Sequence, residues 1–150
     1  MNKKGKNVTS KLDELEKRVM AEMRKFYSQM AIDHAMNPRN VGRMKNADGY
    51  ARVTGSCGDT MEISLRVKEE KVADAKFWTD GCGTSIACGS MATELIKGKS
   101  VAEARRVDSK SILSALGKLP ESDVHCAILA SNTLKAAISN YLASISTKVR

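Results

Sequence analysis

Residues Thr60–Val67 read TMEISLRV, an alternation that puts Met61, Ile63, Leu65 and Val67 on one side of an extended chain and Glu62, Ser64 and Arg66 on the other. A helix would scatter those apolar residues around its circumference, so the stretch predicts a β-strand with one buried face. On either side, YARVTG (Tyr50–Gly55) and KVADAKFWTD (Lys71–Asp80) have the same texture, joined to it by the short turns SCGD and KEEK. Connections that short suit antiparallel neighbours, which gives a meander of three strands whose polar face can meet water.

Beyond Gly83 the period changes. SIACGSMATELIKG reads as a helix stopped by Gly98, followed by short helices near SVAEARRV and SKSILSALG. A long last helix begins at about Ser122, with Val124, Ile128, Leu134, Ile138, Tyr141 and Ile145 as its apolar stripe and Asn132, Lys135 and Asn140 facing out. On the other side of the strands, residues 1–9 are polar and expected to be disordered. Ser10 then caps a helix whose stripe is Leu12, Leu15, Val19, Met23, Phe26 and Met30, ready to dock on the domain or on a partner. That helix should end before Pro38, with MNPRNVG as an irregular turn. The fold class that follows is α+β: a three-stranded antiparallel sheet with helices packed on one face and an extra N-terminal helix.

A chain of 150 residues that is 42% hydrophobic supports one compact core. No run approaches the roughly 18 uncharged apolar residues that span a bilayer, and no apolar segment follows the basic N-terminus, so a soluble, cytoplasmic protein without membrane contact is expected. The net charge of +8 is shared between residues 1–25, with eight Lys/Arg against four Asp/Glu, and residues 26–150, with seventeen against thirteen. Aromatics make up only 4% and form no stacking motif among the basic residues, which argues against a nucleic-acid partner.

The four cysteines are too few for the disulfide framework of a secreted domain, and reduced thiols are expected. Cys57 and Asp59 fall in the first strand turn, Cys82 in the loop after the third strand, and His125 and Cys126 at the start of the last helix. Taken singly, each could be a packed thiol, a turn carboxylate or a capping histidine. Together they fall at element boundaries, where distant parts of a chain can meet at one end of a sheet and offer sulfur, nitrogen and oxygen to a metal. Gly81 and Gly83, lacking side chains, would let backbone N–H groups approach an inorganic sulfide beside Cys82. Near a helix N-terminus, Cys126 is expected to have a lowered pKa and a reactive thiolate. A carboxylate among thiolates is a harder ligand, and iron held by it should be released more easily.

In order and spacing, YSQMAIDHAMNPRNVG, GSCGDTMEISLRV, DGCGTSIACGSMATELIKGKS and VHC resemble the IscU/NifU-type iron-sulfur cluster assembly scaffolds, from about Tyr27 to Tyr141. The resemblance divides the chain into an extension, residues 1–24, and a scaffold domain, residues 25–150. It implies a scaffold, not an enzyme with turnover of its own, that takes sulfur from a cysteine desulfurase and iron from an iron donor. A labile [2Fe-2S] cluster would be built there and passed to apo-proteins. Carried over by residue, Cys57, Asp59, Cys82 and Cys126 are the implied ligands. His125 is an alternative ligand or holds zinc in the as-isolated state, and Cys126 is the persulfide acceptor.

LPESDV stands where bacterial members carry the motif read by an Hsp70-type chaperone, so chaperone-driven release is not carried over, and Asp123 replaces a lysine usual near the site. The insertion of zinc-bound SufU-type relatives is absent. Cys88 stands where the family often has serine. Within one continuous helix it would point about 120° from Cys82, so the two thiols converge only if Cys82 lies in the loop. Cys88 is either a packed small residue or a fourth thiol that replaces Asp59 or receives sulfur. Two other classes remain: a zinc module that docks on a desulfurase, and a thiol oxidoreductase, which the missing C-x-x-C weakens.

Overall fold

The computed structural model describes residues 3–148. Three strands, β1 (Gly49–Thr54), β2 (Thr60–Lys68) and β3 (Lys71–Thr79), form one antiparallel sheet in the order β1-β2-β3. Ala51 lies opposite Ile63, and Ile63 opposite Phe77, so the apolar positions of neighbouring strands share one face. The β2–β3 hairpin turns tightly through Glu69 and Glu70, both at positive φ, the geometry that matches strand twist. Helices α1 (Lys3–Arg24) and α2 (Gln29–Met36) precede the sheet; α3 (Gly83–Ile96), α4 (Val101–Ala104), α5 (Ser109–Leu116) and α6 (Val124–Lys148) follow it. A single 3-10 turn, Glu121–Asp123, leads into α6. The expected α+β fold, a three-stranded antiparallel sheet with packed helices and an N-terminal helix, is what forms, with α2 as a second helix ahead of the strands.

Met61, Ile63, Leu65, Ala75 and Phe77 are fully buried against α3 and α6. Burying each of the larger side chains contributes about 1.5–3 kcal/mol relative to exposure. Glycine sets how closely the layers meet. A Cβ on Gly89 of α3 would strike the Phe77 ring, 2.7 Å from Cε2, and one on Gly49 of β1 would lie 2.6 Å from the Ala137 carbonyl oxygen of α6. That close approach explains a departure in α6, whose inward face consists largely of Ala127, Leu129, Ala130, Leu134, Ala137 and Ile138. Ile128 and Ile145, expected in the stripe, are exposed, at 46% and 38%, whereas Asn132, Lys135 and Asn140 face out as expected.

The other face of β2 does not simply meet water. Glu62 is only 4% exposed, because Arg43 from the preceding loop bonds it at 2.9 Å and stacks 4.6 Å over the Trp78 ring while Tyr50 donates its hydroxyl. Ser64 is buried too.

The N-terminal helix also departs from expectation. It begins by Lys3, well before Ser10, since each added residue extends an existing helix at the gain of one hydrogen bond; Met1 and Asn2 lie outside the described residues. It stops at Arg24, and the chain restarts as α2 behind an N-cap at Ser28, whose side chain accepts from Ala31 N. Ser28 is also tied to the far end of α5, donating N–H to the Lys118 carbonyl at 2.9 Å and its hydroxyl to the Leu116 carbonyl. One expected helix is therefore two. Leu12, Leu15 and Val19 of α1 remain exposed, as do Phe26 and Met30 beyond it. Of the stripe only Met23, beside Tyr27 and Ile32 at the end of α1, is partly covered, so most of the stripe does not dock on the domain. No helix among the described residues is long and apolar enough to cross a membrane.

Candidate metal centre

Three chain segments end together at one edge of the sheet. The β1–β2 turn is closed by Gly55 N–H to the Asp59 carbonyl and bends through Gly58 at φ 90, a conformation glycine adopts without strain. It presents Cys57 and Asp59 to the start of α6. There the ligand atoms of Cys57, Asp59 and His125 all lie within 4.8 Å of one another. The Nδ1 of His125 is 2.7 Å from the Ser122 carbonyl oxygen, which can only accept. The ring proton therefore sits on Nδ1, and the Nε2 lone pair is free for a metal or a thiol.

Cys82 is the N-cap residue of α3, in an extended conformation and outside the helix, which satisfies the condition for convergence that its spacing from Cys88 set. Cys126, third in α6, is completely buried. Between them stands Ser85, third in α3. Its Oγ lies 3.4 Å from Cys126 Sγ, 3.3 Å from Asp59 Oδ2 and 3.9 Å from Cys82 Sγ. Cys126 Sγ is also 3.5 Å from His125 Nε2. All four thiols are free. Two shallow depressions flank the group: one of about 210 Å³ bordered by Cys82 and Asp123, the other of about 250 Å³ bordered by Cys57 and His125.

The two central thiols differ in acidity, and Cys126, expected to be lowered, is instead raised. Burial pushes Cys126 up to about 11, the charge of Cys82 adds to this, and the Ser85 hydroxyl only partly offsets it. Proximity to the α6 N-terminus does not compensate for that desolvation. Burial also raises Cys82, but the backbone N–H groups of Ser85 and Thr84, with the Ser85 hydroxyl and the Cys126 thiol, favour its thiolate more and leave it below the ordinary thiol value. Cys88 is elsewhere. It is wholly buried in the core, with burial driving its thiol far above the usual range, so it is placed as a packed residue and not with the ligand atoms.

Reasoning from sequence missed Ser85, Tyr27 and Thr84. Asp123, noted there only for replacing a lysine, accepts on Oδ2 from Tyr27 OH at 2.8 Å and from Thr84 Oγ1 at 3.1 Å, which ties the α1–α2 junction to the α3 and α6 starts. That hydrogen bond to Asp123 and partial burial raise the Tyr27 hydroxyl above its ordinary value. The spacing of Cys82 and Ser85, three apart on a helix start, was the one available signal, and it says nothing of Asp59 or Cys126.

The NifU-like N-terminal domain model matches residues 26–148. The chain belongs to this family. Its relatives include the iron-sulfur cluster assembly scaffold protein IscU 1 of Archaeoglobus fulgidus, 45% identical over 117 residues that cover 77% of this chain and 76% of the relative. IscU of Escherichia coli is 44% identical over 120 residues, covering 77% of this chain and 93% of its own. In fold, the chain resembles the crystal structure of a protein described as an iron-sulfur cluster assembly scaffold for the SUF system from Fervidobacterium islandicum. The two share a TM-score of 0.60 at 24% identity, over 75% of this chain and 96% of that one. Helix α1 precedes the residues that the NifU-like model matches.

Proposed function

We propose that this NifU-like chain is a scaffold on which an iron-sulfur cluster is assembled and from which it is passed on, with no turnover of its own. The observation that carries this is the meeting of Cys57, Asp59 and His125 within 4.8 Å beside Cys82 and Cys126, in a chain 44% identical to IscU. Three sulfurs and a carboxylate supply four ligands, enough for a [2Fe-2S] cluster held by Cys57, Asp59, Cys82 and Cys126. Cys57 and Cys82 are exposed, so a cluster at this edge would stand at the surface, where an apo-protein can reach it. Asp59 is the hard ligand among soft ones and the weak point through which the cluster leaves. The scaffold domain spans residues 25–150, with residues 1–24 as an extension.

The sulfur comes from a cysteine desulfurase as a persulfide on Cys126. Because that thiol is buried and protonated at neutral pH, acceptance requires the β1–β2 turn or the α3 start to move away from it. Iron(II) arrives separately, and an external electron donor supplies the two electrons that break the persulfide S–S bond, giving the sulfide of the cluster and returning Cys126 as a thiolate ligand. In the metal-free chain, His125 offers Nε2 as an alternative ligand, and the Cys57, Asp59 and His125 set also suits zinc in the as-isolated state.

The test is anaerobic reconstitution with iron, cysteine and a cysteine desulfurase, followed by visible absorption of the wild type and of Asp59→Ala. A coloured cluster that transfers to an apo-ferredoxin, and is retained several times longer by Asp59→Ala, is the expected result. A chain that stays colourless and holds zinc under the same conditions overturns the proposal.

A further inference from the structure

One buried hydroxyl is shared by three of the side chains assembled above. Ser85 is fully buried in the first turn of α3, and its Oγ bonds side chains rather than a backbone carbonyl. It reaches instead across to the β1–β2 turn, 3.3 Å from Asp59 Oδ2, and to α6, 3.4 Å from Cys126 Sγ, with Cys82 Sγ at 3.9 Å. The hydroxyl has a single proton to donate, so it bonds Asp59 or Cys126 at any one time, and toward a protonated Cys126 its oxygen can also accept. Among the described residues no other side chain donates to the Asp59 carboxylate. The surroundings are cleared for this contact: a Cβ on Gly81 would stand 2.5 Å from Ser85 Oγ and 2.9 Å from Asp59 Oδ2.

We propose that Ser85 is a positioning residue for metal acceptance. In the metal-free protein its hydroxyl occupies the place of a common partner, holding Asp59 and Cys126 turned toward Cys82 although the three come from separate segments. When a metal ion enters, these donors exchange the hydroxyl for the ion without first having to be gathered. A site whose ligands are ordered beforehand loses less freedom on binding, and affinity rises accordingly. This inference rests on the scaffold proposal for the same site and adds a residue that neither ligand spacing nor metal preference would select.

The test uses the full chain, reduced and metal-free, titrated with cobalt(II), whose thiolate charge-transfer and visible bands report both affinity and ligand set. Ser85→Ala is expected to weaken cobalt binding about tenfold, equal to 1.4 kcal/mol, with an unchanged melting temperature. Ser85→Thr, which keeps the γ-oxygen, recovers most of that loss. The decisive measurement is the cycle with Asp59→Ala. If Ser85 acts through Asp59, the double variant loses less than the product of the two single losses. Independent losses that multiply, or a Ser85→Ala chain that binds cobalt like the wild type, overturn the role of Ser85 alone. A wild-type chain that takes up no cobalt overturns the scaffold proposal, and this inference with it.

Discussion

The two glycines that flank Cys82 look equivalent in DGCGT, and the structure makes them opposites. At Gly81 an added methyl would stand 2.5 Å from Ser85 Oγ, 2.7 Å from Ser85 Cβ and 2.9 Å from Asp59 Oδ2; at Gly83 it would meet only Ala35 Cβ, at 3.8 Å. To restore a contact of about 3.5 Å, Ser85 must retreat by roughly 1 Å, and it is wholly buried, so the retreat is into the core. Overpacking of this kind costs about 1–3 kcal/mol. Gly81 is not among the positive-φ glycines, so alanine can take its backbone conformation and recovers about 0.4–1 kcal/mol by restricting the unfolded chain. The net is a loss of about 1–2 kcal/mol, or a fall in melting temperature of roughly 2–8 °C at this chain length. Metal uptake should fall further than stability, by tenfold or more, because the same methyl drives Asp59 and Ser85 apart. Gly83→Ala should keep wild-type metal uptake and melt no lower than the wild type, since the same restriction of the unfolded chain adds about 0.4–1 kcal/mol there without a clash. Thermal unfolding by circular dichroism and cobalt titration of the two variants provide the assay. Equal behaviour of the two variants would refute the reasoning, since only the structure distinguishes them.

Cys88→Ser should leave cluster reconstitution at the wild-type iron content per chain, while the hydroxyl it places in the core lowers stability by about 1–3 kcal/mol; loss of the cluster with the fold intact would return Cys88 to the ligand set. His34 supplies a pH dependence. It is buried on α2, with Nδ1 2.7 Å from Ser90 Oγ, and burial, aided by the Arg39 charge, lowers its pKa below 6.5. The unfolded chain then binds the proton more readily than the folded one. Stability is full above about pH 6.5 and declines as pH falls toward the lower folded value. Melting temperatures between pH 7.5 and 5.5 should show this decline, and His34→Gln should flatten it; an equal slope in the variant would dismiss His34 as its source.

The sheet was legible from the sequence nearly to the residue. Alternation in Thr60–Val67 has a period of two, and that period sorts side chains to opposite faces wherever the strand lies, so local pattern and tertiary burial agree. The stop at Gly98 was readable for the same reason, as it acts within a few residues. The break between α1 and α2 was not. Nothing between Lys25 and Ser28 forbids a helix, and the chain turns there because Ser28 is held by the Leu116 and Lys118 carbonyls, some ninety positions away. Likewise the stripe of α6 follows from how closely Gly49 lets the helix approach, which favours alanine over Ile128 on the inner face.

For the site, residue type and position at element boundaries were enough to nominate Cys57, Asp59, Cys82, His125 and Cys126, because turns and helix starts collect at one end of a meander. The fold decided what distance and desolvation control. It gathered Cys57, Asp59 and His125 within 4.8 Å, sent Cys88 into the core and placed Ser85 between three donors. It also raised the pKa expected to be lowered at Cys126: the helix start near a thiol can be read from sequence, whereas the burial that outweighs it is a sum over neighbours from every segment of the chain.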